Sequence, residues 1–145
     1  MHQKIKELIG SNDVCVLATV AGAAPHCSLM SYAAAEDGRE IYMITHKNTK
    51  KFKNMEGNPG VSLLIDSREM DRGENRYRAK ALTVTGTYEN VKDEPKNGEI
   101  RRRLLERHPH LKNFIEDPQA QLILVRVKAF QLLEGVSDAY YEEVN

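Results

Sequence analysis

Residues 14–46, VCVLATVAGAAPHCSLMSYAAAEDGREIYMITH, decide the fold. Runs of β-branched, aromatic and apolar residues, VCVLATV (14–20), HCSLMSYAA (26–34) and EIYMIT (40–45), are divided by the small-residue turn AGAAP and by Glu36-Asp37-Gly38. Such runs suit a pleated, half-buried surface, and Asp-Gly between them is a strong hairpin signal. The gaps are too short for the crossover helix that parallel strands need, so the stretch reads as an antiparallel strand meander.

Outward from it, Ile5, Leu8 and Ile9 recur at helical spacing between His2 and Gly10, and Gly10-Ser11-Asn12 stops that helix. VSLLID (61–66) is nearly all apolar and is expected to be a central strand. REMDRGENRYRAK then reads as the exposed tip of a long hairpin whose returning strand is ALTVTGTYENV, with a bulge at Gly86. Ile100, Leu104 and Leu105 mark a helix from Pro95 to about His108, with Pro95 in its first turn and Pro109 limiting its end. LILVRVKAFQLLEG closes the core as one or two strands. The expectation is a mainly β fold: a closed or nearly closed, predominantly antiparallel β-barrel with flanking helices, formed by one domain over residues 1–145.

Lysine plus arginine equals aspartate plus glutamate at 21 each, so no global field draws the chain to nucleic acid or to an anionic membrane. No apolar run is long enough to span a bilayer, and the first residues are amphipathic and unlike a secretory leader. Cys15 and Cys27 lack metal-type spacing and read as two buried thiols in a reducing cytoplasm. His108-Pro109-His110 offers too few ligands for a metal centre, His26 reads as a solvated hairpin-end histidine, and no Ser-His-Asp or Cys-His arrangement supports a nucleophile.

Residues 45–59, THKNTKKFKNMEGNP, carry the main functional signal. If EIYMIT is a strand and Lys50 to Glu56 a helix, Thr49 falls at the N-cap, and Lys50 and Lys51 stand in the first turn, where the helix dipole disfavours cations. A bound phosphate would relieve that repulsion and accept several charge-assisted hydrogen bonds. The alternative is a surface helix with solvated lysines, and periodicity leaves both readings open.

Together, VLATV, a proline-led second strand, the pattern T-x(3)-T-K-K-x-x-N-x-x-x-N-P and the apolar strand VSLLID resemble the pyridoxamine 5′-phosphate oxidase-like family of FMN-binding split barrels. The likeness covers Val14 to Asp66, and LTVTGTY and LILVRVKAFQLLEG look like the family's later strands. The resemblance implies FMN as cofactor, with Thr49, Lys50 and Lys51 on its phosphate. It also implies that Ser28, Leu29, Met30 and Ser31 run beside the ring and ribityl chain largely through their backbone, and that Ile44 and Thr45 border the same ligand. Because strand residues alternate sides, some of Leu29, Met30 and Ile44 must be core. Lys53 and Asn54, farther along the helix, are expected in surface or structural roles. The resemblance further implies a homodimer with the cofactor at the interface, completed by residues of the second subunit.

The chain departs from the vitamin-processing oxidases: it has no tryptophan, it ends SDAYYEEVN, and Ala81 stands where their flavin-contacting glutamine is expected if Gly86 anchors the comparison. These departures argue against pyridoxamine phosphate oxidation itself. The leading expectation is an FMN-dependent oxidoreductase acting on a small molecule, with a nicotinamide as candidate electron donor. The alternatives are a non-catalytic flavin- or haem-binding sensor or carrier and, disfavoured by zero net charge, a nucleic-acid-binding barrel using Arg68, Arg72, Arg76 and Arg78.

Overall fold

The computed structural model describes residues 1–145. Helix α1 (Gln3–Ser11) is followed by β1 (Val14–Ala21), β2 (Ala24–Ser31), β3 (Ala33–Ala34), β4 (Glu40–His46), α2 (Lys50–Gly57) and β5 (Gly60–Asp66). A 3₁₀ turn at Gly73–Arg78 leads to β6 (Lys80–Glu89), α3 (Glu94–Arg107), a second 3₁₀ turn at Pro109–Leu111, α4 (Lys112–Ile115), β7 (Ala120–Glu134) and β8 (Asp138–Glu143). All pairings are antiparallel, in one eight-stranded sheet of order β2-β1-β5-β6-β7-β4-β3 with β8 also on β7.

That order corrects the meander. β1 and β2 do form a hairpin, and Asp37-Gly38 turns the chain between β3 and β4, with Gly38 at φ 73°. HCSLMSYAA, however, is not one strand: it breaks at Tyr32, so β2 ends one edge of the sheet and β3 ends the other. One residue separates the two edges in the chain, so the sheet must curl until they meet. The result is a curled half-barrel closed covalently at Tyr32. Tyr32 is fully buried there; its N–H donates to Asp13 O (3.0 Å), its hydroxyl donates to Ile9 O (2.5 Å), and His108 Nε2 lies 2.7 Å from its carbonyl.

The other edge of the molecule shows why the barrel is split. LILVRVKAFQLLEG, apart from its final Gly135, lies in a single 15-residue strand, β7, with β6 along one side. On its other side β4 pairs with residues 120–126 and β8 with residues 129–134. Between these partners the register against β6 shifts: Thr85 faces Ala129 while Gly86 faces Val127, which leaves Lys128 as the extra residue of the bulge. The core positions follow, running Ile123, Val125, Val127 and then Phe130, Leu132, a change of parity that the additional residue allows. Gly86 is needed at this point because a Cβ would lie 2.6 Å from Val125 Cγ1 and 2.7 Å from Arg126 O.

β5 is central, between β1 and β6, yet only Val61, Leu63 and Ile65 are buried; Ser62, Leu64 and Asp66 face outward. The main core fills the barrel with residues from α1, α2 and the strands, including Leu17, Met43, Leu63, Val84 and Phe130. A second core packs Ile100 and Leu104 of α3 and Ile115 of α4 against Tyr42, Ile44, Leu122 and Leu124. β7 therefore buries both faces over Leu122–Val125. β8 and α4 lie in segments whose apolar pattern gave no strand or helix signal.

Candidate functional site

The cap that the sequence singles out is built by β4 running directly into α2. Thr49 is the N-cap in extended conformation, and its Oγ1 accepts from Phe52 N–H (3.3 Å). The same hydroxyl donates to His46 O (2.9 Å) and lies 3.2 Å from Thr45 Oγ1, which is placed to donate to it. The i→i−4 ladder begins with Lys53 N–H on Thr49 O (3.2 Å), so the amides of Lys50 and Lys51 precede it and have no partner inside the helix. No acidic residue stands in the first turn, and Lys50 is exposed while Lys51 is half-buried. Two cations and open N–H groups thus share one helix end, an arrangement whose chemistry suits an anion. The residues present fit a phosphate group.

Packing fixes the direction of this helix end. Phe52 and Met55 enter the main core, and Phe52 meets Tyr88 edge-on at 6.2 Å. Asn54 is buried, its Nδ2 donating to Thr19 Oγ1 of β1 at 3.1 Å. It pins α2 to the sheet, which is the structural role expected of it, and Lys53 is exposed. Asn58 caps the C-terminus of the helix before Pro59.

The remaining expected ligand neighbours separate by strand side. On β2, Met30 is buried in the main core, Leu29 is 73% exposed on the outer face opposite Val16, and Ser31 on the same face is half-buried opposite Val14. Ser28 is half-buried with its Oγ 3.4 Å from His26 Nε2. Ile44 packs in the second core, and Thr45 is 4% exposed. The structure therefore gathers Thr45, Thr49, Lys50 and Lys51 at one point, and α2 packs against both β1 and β2. The side chains of Met30 and Ile44 serve the two cores.

Two readings of single residues change. Cys15 is buried, its thiol pushed up to about 12 by burial, but Cys27 is exposed, because alternation along β2 turns it to the outer face beside Leu29. His26, expected in water, is half-buried near Ser28.

Sequence reasoning missed one polar cluster altogether. Lys96 Nζ on α3 lies 2.6 Å from Glu40 Oε1 on β4, Tyr42 OH donates to the same oxygen at 2.6 Å, and Arg126 NH2 of β7 lies 3.3 Å from Glu40 Oε2. Burial works to raise the Glu40 carboxyl, yet the hydrogen bonds from Lys96 and Tyr42 hold it below the usual carboxylate range. Burial and then Glu40 push Tyr42 up to about 12. The cluster clamps α3 to the sheet; Lys96 and Arg126 stand too far in sequence from Glu40 and Tyr42 to form a motif with them.

A sequence profile described as "Pyridoxamine 5'-phosphate oxidase" matches residues 1–134. General stress protein 26 of Bacillus subtilis (strain 168) is 36% identical over 65 residues, a match spanning 45% of this chain and 45% of that relative. A haem-binding protein from Mycobacterium smegmatis superposes with a TM-score of 0.86 at 16% identity, over 97% of this chain and 57% of that one. An FAD-binding protein from Mesorhizobium loti superposes with a TM-score of 0.75 at 21% identity, over 92% of this chain and 93% of that one. At these identities the two superpositions bear on the fold alone.

Proposed function

This chain belongs to the pyridoxamine 5′-phosphate oxidase family, and from that premise we propose that it binds FMN and acts as a flavin-dependent oxidoreductase on a small molecule other than pyridoxamine phosphate. One observation carries the proposal: the Thr49-capped start of α2, where Lys50 and Lys51 stand in an acid-free first turn ahead of the main-chain ladder. Lys50 and Lys51 hold the phosphate by charge, and the N–H groups of the first turn hold it by direction. Thr49 keeps the turn in shape: its hydroxyl is engaged by Phe52, His46 and Thr45, so it orients the clamp instead of reaching outward. The β2 backbone at Ser28, Leu29, Met30 and Ser31 borders the ring, and Thr45 borders the phosphate end; Ile44 contributes only its main chain, since its side chain lies in the second core. When bound, the flavin supplies hydride and electron transfer, with a nicotinamide as candidate donor, and the chain needs no acid-base residues of its own for that chemistry. In this reading the protein is a cytoplasmic homodimer with the flavin at the subunit interface, each copy a single domain.

A second reading, a sensor or carrier that holds flavin or haem without turnover, is favoured by the haem-binding M. smegmatis protein of the same fold. The absorption spectrum of the purified protein separates them: flavin bands support the first reading, and a Soret band supports haem. Bleaching of the flavin bands by NADH or NADPH supports turnover. Lys51→Ala is expected to release FMN far more readily than Lys53→Ala, and equal retention by both variants would refute the clamp.

A further inference from the structure

The outer face of β1, β2 and β5 carries a cavity of about 430 Å³, within the range of roughly 300–1,000 Å³ that holds small ligands; its lining includes none of Thr45, Thr49, Lys50 and Lys51 and shares only Leu29 with the surface assigned to the flavin ring. Its floor is apolar: Val14, Val16, Leu29 and Leu64 sit together because Val16 pairs with both Leu29 and Leu64 across adjacent strands. Leu29 is 73% and Val14 42% exposed, so the floor presents hydrocarbon to water that an occupant would cover. The wall is the Arg-rich loop between β5 and β6.

The loop's charges are not equivalent. Arg68 is paired with Asp66 through Nε (2.8 Å) and NH2 (2.6 Å), a bidentate contact in which the Asp66 carboxylate already balances its charge. Arg76 donates NH1 to Arg68 O (3.2 Å), and Arg72 donates Nε to Glu69 O (3.0 Å). Each therefore keeps further guanidinium donors beside an apolar floor. Glu69, whose side chain is 83% exposed, stands 3.9 Å from Arg72 NH2, too far for a hydrogen bond and easily displaced by a better-placed carboxylate.

We propose that this cavity binds a small molecule with an apolar body and an anionic head, most simply an aryl or alkyl carboxylate, the body lying on Val14, Val16, Leu29 and Leu64 and the head on Arg72 and Arg76. A neutral molecule leaves the two guanidiniums unused, and a compact hydrophilic anion leaves the hydrocarbon floor wet. Only the name "substrate" for the occupant rests on the flavin reading, through Leu29, which belongs to both surfaces; binding itself does not depend on it.

The test is a titration of the flavin-free protein with 4-phenylbutyrate and with uncharged 4-phenylbutanol, followed by backbone amide shifts. Saturable shifts at Val14, Val16, Leu29 and Leu64 are expected, with the acid binding more tightly than the alcohol. Arg72→Gln/Arg76→Gln, at exposed loop positions, should weaken the acid about tenfold, as loss of hydrogen bonds to a charged group does, and leave the alcohol unchanged. Glu69→Gln should tighten the acid by removing the internal competitor. Absence of saturable shifts, equal affinity for acid and alcohol, or indifference to the arginine pair would overturn the proposal. A protein that lacks flavin bands yet binds the acid would refute the flavin reading and leave this one standing.

Discussion

Replacing Tyr32 by Phe tests how strongly a single buried hydroxyl holds α1 to the corner where the chain joins the two sheet edges. The ring is fully buried at the corner between the two sheet edges, and its hydroxyl donates to Ile9 O at 2.5 Å, tying α1 to that corner. Phe keeps the ring and its packing but leaves the Ile9 carbonyl without that donor in a water-poor site. The cost expected for an orphaned buried acceptor is ~1–3 kcal/mol. For a chain of this size that corresponds to a fall in melting temperature of about 3–10 °C. Thermal unfolding followed by circular dichroism measures it, with Tyr141→Phe as control, since Tyr141 is 61% exposed and its loss should stay within roughly 0.5 kcal/mol. Amide exchange should quicken first in α1 and in the residues flanking Tyr32. A Tyr32→Phe protein as stable as the parent, or one destabilised evenly across the sheet, would show that α1 is not held to the corner by this bond.

Gly86→Ala should unfold or severely destabilise the protein, because its Cβ would meet the Arg126 carbonyl at 2.7 Å, whereas Gly98→Ala in α3, where a Cβ meets nothing within 4 Å, should stabilise by about 0.5–1 kcal/mol; denaturant melts compare them. Thr49→Ala should cost ~1 kcal/mol through the lost cap and loosen FMN as a consequence of the frayed turn, both readable by melting with and without added FMN. Stability should fall as pH rises above about 9: burial raises Cys15 from 9.0 to about 12, so between those values the folded state holds a proton the unfolded state has lost. Tyr42, raised from 10.0 to about 12 by burial and Glu40, adds to the fall above pH 10. Denaturant melts at stepped pH should show the slope, at most ~1.4 kcal/mol per pH unit for each group, and Cys15→Ala should remove its first part.

The strands were legible where alternation or β-branched runs reached five residues or more, as in β1, β4, β5 and β6, and the cap at Thr49 was legible because a strand, a hydroxyl and two lysines fall in one short window. HCSLMSYAA misled because nothing local distinguishes a straight strand from one that leaves a sheet at one edge and re-enters at the other; Tyr32 takes the corner by virtue of partners at Ile9, Asp13 and His108. β8 was missed because DAYYEE has no buried face: five of its six residues are exposed, and it is a strand only because β7 offers an unpaired edge. The side of Cys27 was misjudged for the same reason, since alternation sets a face but not which face is wet.

The sequence by itself carried the family resemblance, spread over Val14 to Asp66, and also the β1–β2 and β3–β4 hairpins and the Thr49 cap, since the hairpins and the cap each rest on residues within a few positions of one another. The tertiary structure alone decided that Met30 and Ile44 serve two different cores, that Lys96 reaches Glu40, and that arginines of the β5–β6 loop face the hydrocarbon of Leu29. Those relations join residues distant along the chain, and only the curl of the sheet, set by where each strand finds its edge, brings them within reach.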